Sequence, residues 1–183
     1  MVLILTGAVQ SGKTRFLAGI VASLDRERTG VSGFLSPAVY DRGRLIGYDL
    51  DVLGRKTPLP YIRKSGEPAW ERVGPYYFIP EALEEARRTI LESRPCDLLV
   101  VDEVGPLELG GGGLWGPLET ALAGPGRRLL LVVRASCLDA LATRLAGRPF
   151  QVFTVDEPAA RAALLFEISR DVPGPGIAAG RES

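Results

Sequence analysis

Eight consecutive residues, Gly7-Ala8-Val9-Gln10-Ser11-Gly12-Lys13-Thr14, follow the pattern G-x-x-x-x-G-K-[ST] without a mismatch. Such a run suits phosphate. Glycines let the backbone curl until successive N–H groups point inward at anionic oxygens. A helix beginning near the lysine adds the positive end of its dipole. Lys13 then offers a point charge to the β- and γ-phosphates, and the Thr14 hydroxyl a ligand for Mg²⁺. The competing explanation is a chance Gly-rich turn. The context speaks against it, because an apolar strand runs in and an amphipathic helix runs out. The chain has only three lysines, and one falls at this position.

A second constellation is Leu98-Leu99-Val100-Val101-Asp102-Glu103, an apolar run that ends in two acids. Beside a phosphate loop, Asp102 is expected to bind Mg²⁺, directly or through water. If the strand continues, Glu103 faces the other way and is placed to polarise an attacking water. Arg134 ends the next apolar run, Leu129 to Val133, and the carboxyl ends of parallel strands line ligand crevices. It is read as a γ-phosphate sensor or as a surface arginine. Glu108 either supports the water or the metal or orients its loop. Trp70, Tyr76 and Tyr77 offer a face for a nucleobase or fill a satellite core. Gly110 to Gly113 is a lid edge or a slack connector. Asp49 and Asp51 alternate with Leu50 and are expected to face solvent.

The elements that must position these groups follow from periodicity. Val2 to Thr6 reads as a buried strand. Phe16, Leu17, Ile20, Val21 and Leu24 share one helix face, and Gly30 suits the stop of that helix. Val31 to Tyr40 and Arg44 to Leu53, joined by Asp41-Arg42-Gly43, read as a β-hairpin. Gly54 to Pro80 is irregular, with short strands near 58–63 and 76–79. Glu81 to Ser93 returns to helix, with Glu84 set to pair with Arg88 and Pro95 as terminator. Helices at Leu114 to Ala123, from Ser136, and from Pro158 to about Arg170 alternate with strands at Leu98, Leu129 and Phe150 to Val155. This alternation predicts an α/β fold, mostly parallel, with helices on both faces of the sheet and a hairpin insertion. One domain is expected over residues 1–170, followed by a flexible tail over 171–183 rich in Pro and Gly.

Composition narrows the function. With 183 residues and 46% hydrophobic content, the chain supports one ordinary core. Lys plus Arg equals Asp plus Glu at 22 each, so no global field draws it to nucleic acid or an acidic membrane. The absence of histidine excludes His-based zinc sites and Ser-His or Cys-His catalysis. Cys96 and Cys137 lie outside any C-x-x-C pair and read as reduced thiols. No stretch approaches a membrane span, and Val2 to Leu5 lacks the form of a signal peptide. A cytoplasmic protein is expected.

Further segments carry a family resemblance. They are Val31-Ser32-Gly33-Phe34, then Arg42-Gly43-Arg44-Leu45-Ile46-Gly47-Tyr48-Asp49, then Arg72-Val73-Gly74-Pro75-Tyr76, and Val101-Asp102-Glu103-Val104-Gly105-Pro106-Leu107-Glu108. With the phosphate loop they resemble the small P-loop nucleoside-triphosphatases that include the human cancer-related nucleoside-triphosphatase. The similarity runs from about Met1 to Phe153. It implies a three-layer P-loop NTPase core of RecA/AAA-like type, with the catalytic base directly after the magnesium aspartate. It also implies slow hydrolysis of ATP, GTP and other NTPs without strong base selectivity. Two positions depart from the family pattern. Ala8-Val9-Gln10-Ser11 stands where a second Pro-Gly is frequent, and Pro75 stands where a lysine is frequent.

The expected activity is therefore Mg-dependent hydrolysis of a nucleoside triphosphate to diphosphate and phosphate. A kinase that passes the γ-phosphate to a small acceptor is the alternative, although no Arg-rich lid is evident. A partner-activated switch is a third class, and the balanced charge weighs against nucleic acid as that partner.

Overall fold

The computed structural model describes residues 1–24, 29–93, 96–124 and 128–170. The described strands are β1 (Val2–Gly7), β2 (Val31–Leu35), β3 (Ala38–Asp41), β4 (Arg44–Val52), β5 (Leu59–Arg63), β6 (Arg72–Val73), β7 (Tyr76–Phe78), β8 (Leu98–Val104), β9 (Arg128–Arg134) and β10 (Phe150–Thr154). The helices are α1 (Lys13–Ser23), α2 (Pro80–Leu91), α3 (Pro106–Leu109), α4 (Trp115–Ala123), α5 (Leu138–Arg144) and α6 (Ala160–Ser169). All ten strands belong to one sheet, in the order β10-β1-β9-β8-β2-β4-β5-β7-β6, with β3 beside β4. From β10 to β2 every pairing is parallel, and from β4 outward every pairing is antiparallel.

Alternation along the strands builds two cores. Leu3 and Leu5 of β1 face Leu17, Ile20 and Val21 of α1 and Leu164 and Ile168 of α6. Val2 and Ile4 face the opposite layer, where Leu83, Ala86 and Ile90 of α2 pack with Leu118 of α4 and Leu141 of α5. The result is the expected three-layer α/β arrangement, with helices on both faces of the sheet. Burial on both faces explains why β1, β8 and β9 read as continuous apolar runs. Because β9 lies between β1 and β8, the loop after β1 and the acids at the end of β8 come out on the same edge of the sheet, one strand apart.

The antiparallel wing differs from the simple hairpin. Its first arm breaks at Ser36-Pro37 into two strands. β2 pairs parallel with β8 through Gly33 and Val100 and antiparallel with β4, and β3 pairs with β4 alone. Proline lacks the N–H that a continuing ladder needs, which explains the break. β6 and α3 lie where the sequence shows no periodic signal. The pairing expected between Glu84 and Arg88 is replaced by i,i+3 contacts, Glu84 with Arg87 at 3.7 Å and Glu85 with Arg88 at 2.8 Å. The helix expected from Ser136 begins as one 3₁₀ turn over Ala135–Cys137 before α5. α1 already ends at Ser23, with the Leu24 N–H on the Val21 carbonyl, so Gly30 is not its stop. Pro95 and the tail over 171–183 lie outside the described residues. No disulfide links Cys96 and Cys137, and among the described residues no helix is long and apolar enough to cross a membrane.

Candidate functional site

The loop between β1 and α1 is shaped by its backbone. Gly12 sits at the helix N-cap with φ 82°, a left-handed conformation that side-chain-bearing residues avoid. Gln10 also has positive φ, at 61°, and the Ser11 N–H closes the turn on the Ala8 carbonyl at 3.2 Å. Lys13 is buried to 5% exposure. Its Nζ donates to the carbonyls of Ala8, at 2.8 Å, and Gly7, at 3.4 Å. Buried ammonium groups require such partners. Val9, Gln10, Gly12, Lys13 and Thr14 line a cleft of about 600 Å³, whose size matches small-ligand sites. Gly7, Ala8 and Ser11 support the turn without lining the cleft.

Asp102 ends the straight part of β8 at 1% exposure. Its Oδ2 accepts the Ser36 N–H at 3.0 Å, and the Ser36 hydroxyl donates to the Asp102 carbonyl. Its Oδ1 has no hydrogen-bond partner among the described residues. Burial raises the pKa of this carboxyl to about 6, against the lowering effects of the Ser36 N–H, the Thr14 hydroxyl and Lys13. A buried carboxylate oxygen left unpaired beside a threonine hydroxyl fits a hard cation. Mg²⁺ is typically held by one or two protein oxygens, with water and phosphate oxygens completing the shell.

The β8–β9 register shifts between Asp102 and Val104, which leaves Glu103 out of the ladder. Its carboxylate lines the cleft and forms an ion pair with Arg134, Nε to Oε1 at 2.5 Å. Burial opposes the Arg134 charge, but the Glu103 carboxylate outweighs it and raises the guanidinium pKa. Arg134 is half-buried and lines the cleft, where the γ-phosphate reading needs it. Glu108 resolves differently. It is 3% exposed, and its Oε2 accepts the Gly105 N–H at 2.9 Å, so it caps α3 and fixes the loop after the acids. Burial raises its pKa above the ordinary range.

A smaller cavity of about 70 Å³ shares Thr14, Tyr48, Glu103 and Arg134 with the cleft and is also lined by Asp102 and Glu108. Its volume exceeds the ~10–15 Å³ of accessible space that a single water needs.

A sequence profile for a family described as NTPase matches residues 2–169. The chain belongs to this NTPase family. The nucleoside-triphosphatase THEP1 of Archaeoglobus fulgidus is 31% identical to it over 170 residues, which is 92% of this chain and 97% of the relative. The nucleoside-triphosphatase THEP1 of Metallosphaera sedula is 28% identical over 169 residues, 92% of this chain and 87% of the relative. The solution structure of a human cancer-related nucleoside triphosphatase aligns with a TM-score of 0.67 at 26% identity, over 91% of this chain and 94% of that one. The crystal structure of THEP1 from the hyperthermophile Aquifex aeolicus aligns with a TM-score of 0.63 at 20% identity, over 92% and 96%, a likeness of fold.

In this NTPase the aromatic residues near the site are not the expected ones. Trp70, Tyr76 and Tyr77 do not line the cleft. Tyr76 packs edge-on against Tyr48 at 5.9 Å, and Arg72 lies over Tyr77. Tyr40 and Tyr48 line the cleft instead. The Asp49–Asp51 pair also divides. Asp49 is half-buried in an ion pair with Arg63 at 2.5 Å, and Asp51 lines the cleft. Both are half-buried, so each is only in part on the expected solvent side. Ser36, which holds Asp102, was missed by sequence reasoning. Its only local signal is the proline that follows it and breaks the hairpin arm.

Proposed function

We propose that this NTPase binds a Mg–nucleoside triphosphate across the β1–α1 loop and transfers the γ-phosphoryl group to water, as one folded unit over residues 1–170. The observation that carries the reading is the buried, unpaired Asp102 oxygen beside Thr14, one strand away from the Lys13 loop. Asp102 and Thr14 would hold the magnesium, which supplies charge neutralisation at the β- and γ-phosphate oxygens when bound. Main-chain N–H groups of residues 8–14 and the Lys13 ammonium hold the phosphates, and Lys13 exchanges its loop carbonyls for them. Glu103 orients a water in the small cavity and accepts its proton as the water oxygen attacks the γ-phosphorus. The bond from that phosphorus to the bridging oxygen breaks, giving nucleoside diphosphate and phosphate. Arg134 occupies one Glu103 oxygen, which leaves the other for the water. It also presents a positive charge at the γ-phosphate end of the cleft.

The relatives reported above are triphosphatases by name, and they give the kinase reading no support. Cys96 and Cys137, which no disulfide joins, are consistent with a reducing, cytoplasmic setting.

The test is phosphate release from ATP, GTP, CTP and UTP, with and without Mg²⁺, for the native chain and Glu103→Gln. Nucleotide binding is expected to persist in the variant while turnover slows by ~10²–10⁴-fold, the span for losing a general base. Unchanged turnover in Glu103→Gln removes that residue from the chemistry. Release that ignores Mg²⁺ removes the Asp102 and Thr14 roles.

A further inference from the structure

We infer that Tyr40, on the β3–β4 hairpin, is the platform on which the nucleobase stacks. The inference rests on the phosphate cradle proposed above and adds the residue that recognises the rest of the nucleotide.

The hairpin turns one face toward the phosphate loop. Ala38, Tyr40, Leu45 and Tyr48 all line the cleft, together with Lys13 and Arg15. A register shift produces this face. Val39 pairs with Gly47 and Tyr40 with Leu45, so Ile46 is the extra residue on β4. The bulge returns Leu45, three residues before Tyr48, to the same side as Tyr48 and opposite Tyr40. Bulges beside active sites re-aim side chains in this way.

The two tyrosines on this face are not equivalent. Tyr48 is half-buried, braced edge-on by Tyr76, and its phenol feels Glu103 and Arg134, so it belongs to the hydrolytic end. Tyr40 is 60% exposed, and among the described residues no ring or cation packs against it. It is the cleft-lining aromatic with a free face, and the Leu45 side chain opposite it adds apolar surface. A triphosphate held on the loop carries a ribose and base that must lie along one cleft wall. The hairpin supplies an aromatic face there and few edge-reading groups. A π-face grips any base through stacking rather than through hydrogen bonds.

The experiment separates the nucleoside from the phosphates. Titration calorimetry with Mg²⁺ measures the Kd of a non-hydrolysable ATP analogue and of inorganic tripolyphosphate, on the native chain, Tyr40→Ala and Tyr40→Phe. Native protein is expected to prefer the nucleotide, and Tyr40→Ala to weaken the analogue by about 5- to 100-fold with tripolyphosphate changed less than about twofold. Tyr40→Phe keeps the ring and should retain the native preference. A Tyr40→Ala protein that keeps the full preference for nucleotide overturns the inference. So does an equal loss for both ligands, which would mark a structural effect on the loop. If neither ligand binds native protein, the phosphate cradle itself fails and the platform fails with it.

Discussion

Burying a carboxylate with one oxygen unpaired carries a free-energy cost, and Asp102 bears it in the centre of the site. With the carboxyl pKa raised to about 6 from 3.8, the folded chain binds a proton here more tightly than the unfolded chain. The sign follows directly. Between pH 4 and 6 the native state holds the extra proton, so this group's contribution to stability is present at low pH and is lost as pH rises through 6. Asp102→Asn, which cannot ionise, should therefore stabilise the metal-free protein at pH 8 by up to about 3 kcal/mol. It should also remove the Mg²⁺ dependence of nucleotide binding. Urea unfolding in chelator at pH 5 and pH 8 checks this, and a stabilisation equal at both pH values would contradict it. Lys13→Ala acts in the other direction on ligand. Nucleotide affinity and turnover should both fall, by an order of magnitude or more for a charge-assisted contact worth ~1.5–3 kcal/mol. Binding isotherms read the first effect and phosphate release the second.

At the scale of elements, the placement of the acids depends on how closely β2 lies against β8. Gly33 pairs with Val100, and a Cβ at Gly33 would stand 1.9 Å from the Val100 carbonyl oxygen, with φ at +116°. No L side chain fits there, so glycine alone allows the two backbones to meet. The same contact sets Ser36, three residues on, against Asp102. Gly33→Ala should cost ~3 kcal/mol or more by forced separation of the strands. Its nucleotide affinity should fall alongside its melting temperature, since Ser36 moves with β2. Full affinity in a destabilised variant would uncouple the strand from the site. This element also shows where sequence reading stops. Hydrophobic period placed β1, β8 and β9 within a residue or two because their apolar runs are local. β6, with two residues, and α3, with four, are too short to show a period. α3 also leans on a partner distant in the chain, since the Arg144 Nε donates to the Leu109 carbonyl at 3.0 Å.

For the molecule as a whole, the β1–α1 loop, the acids and the hairpin come from three separate stretches of chain that meet only when folded. Ligand binding should therefore stabilise the entire unit. At a nucleotide concentration one hundred times Kd the gain is about 2.7 kcal/mol. For a chain of this size that corresponds to a rise in Tm of roughly 5–10 °C. Calorimetric or fluorescence melts with Mg–nucleotide should show the rise, and chelator should remove most of it. A rise of the same size with nucleoside lacking phosphates would contradict the phosphate-anchored site.

The sequence by itself determined the strand–turn–helix around Gly7 to Thr14, the place of the aspartate–glutamate pair at a strand end, the α/β class and the membership of an NTPase family, because each is carried by neighbouring residues whose spacing needs no partner. The tertiary structure decided what those residues touch. It paired Arg134 with Glu103, turned Glu108 into a helix cap, drew Asp51 into the cleft and set Tyr40 rather than Trp70, Tyr76 or Tyr77 on its wall. Apart from the Glu108 cap, which is a contact across three residues, these outcomes depend on strand order and on one-residue shifts of register. A single shift sends every later side chain to the opposite face, and hydropathy pattern alone does not carry that information where both faces are covered.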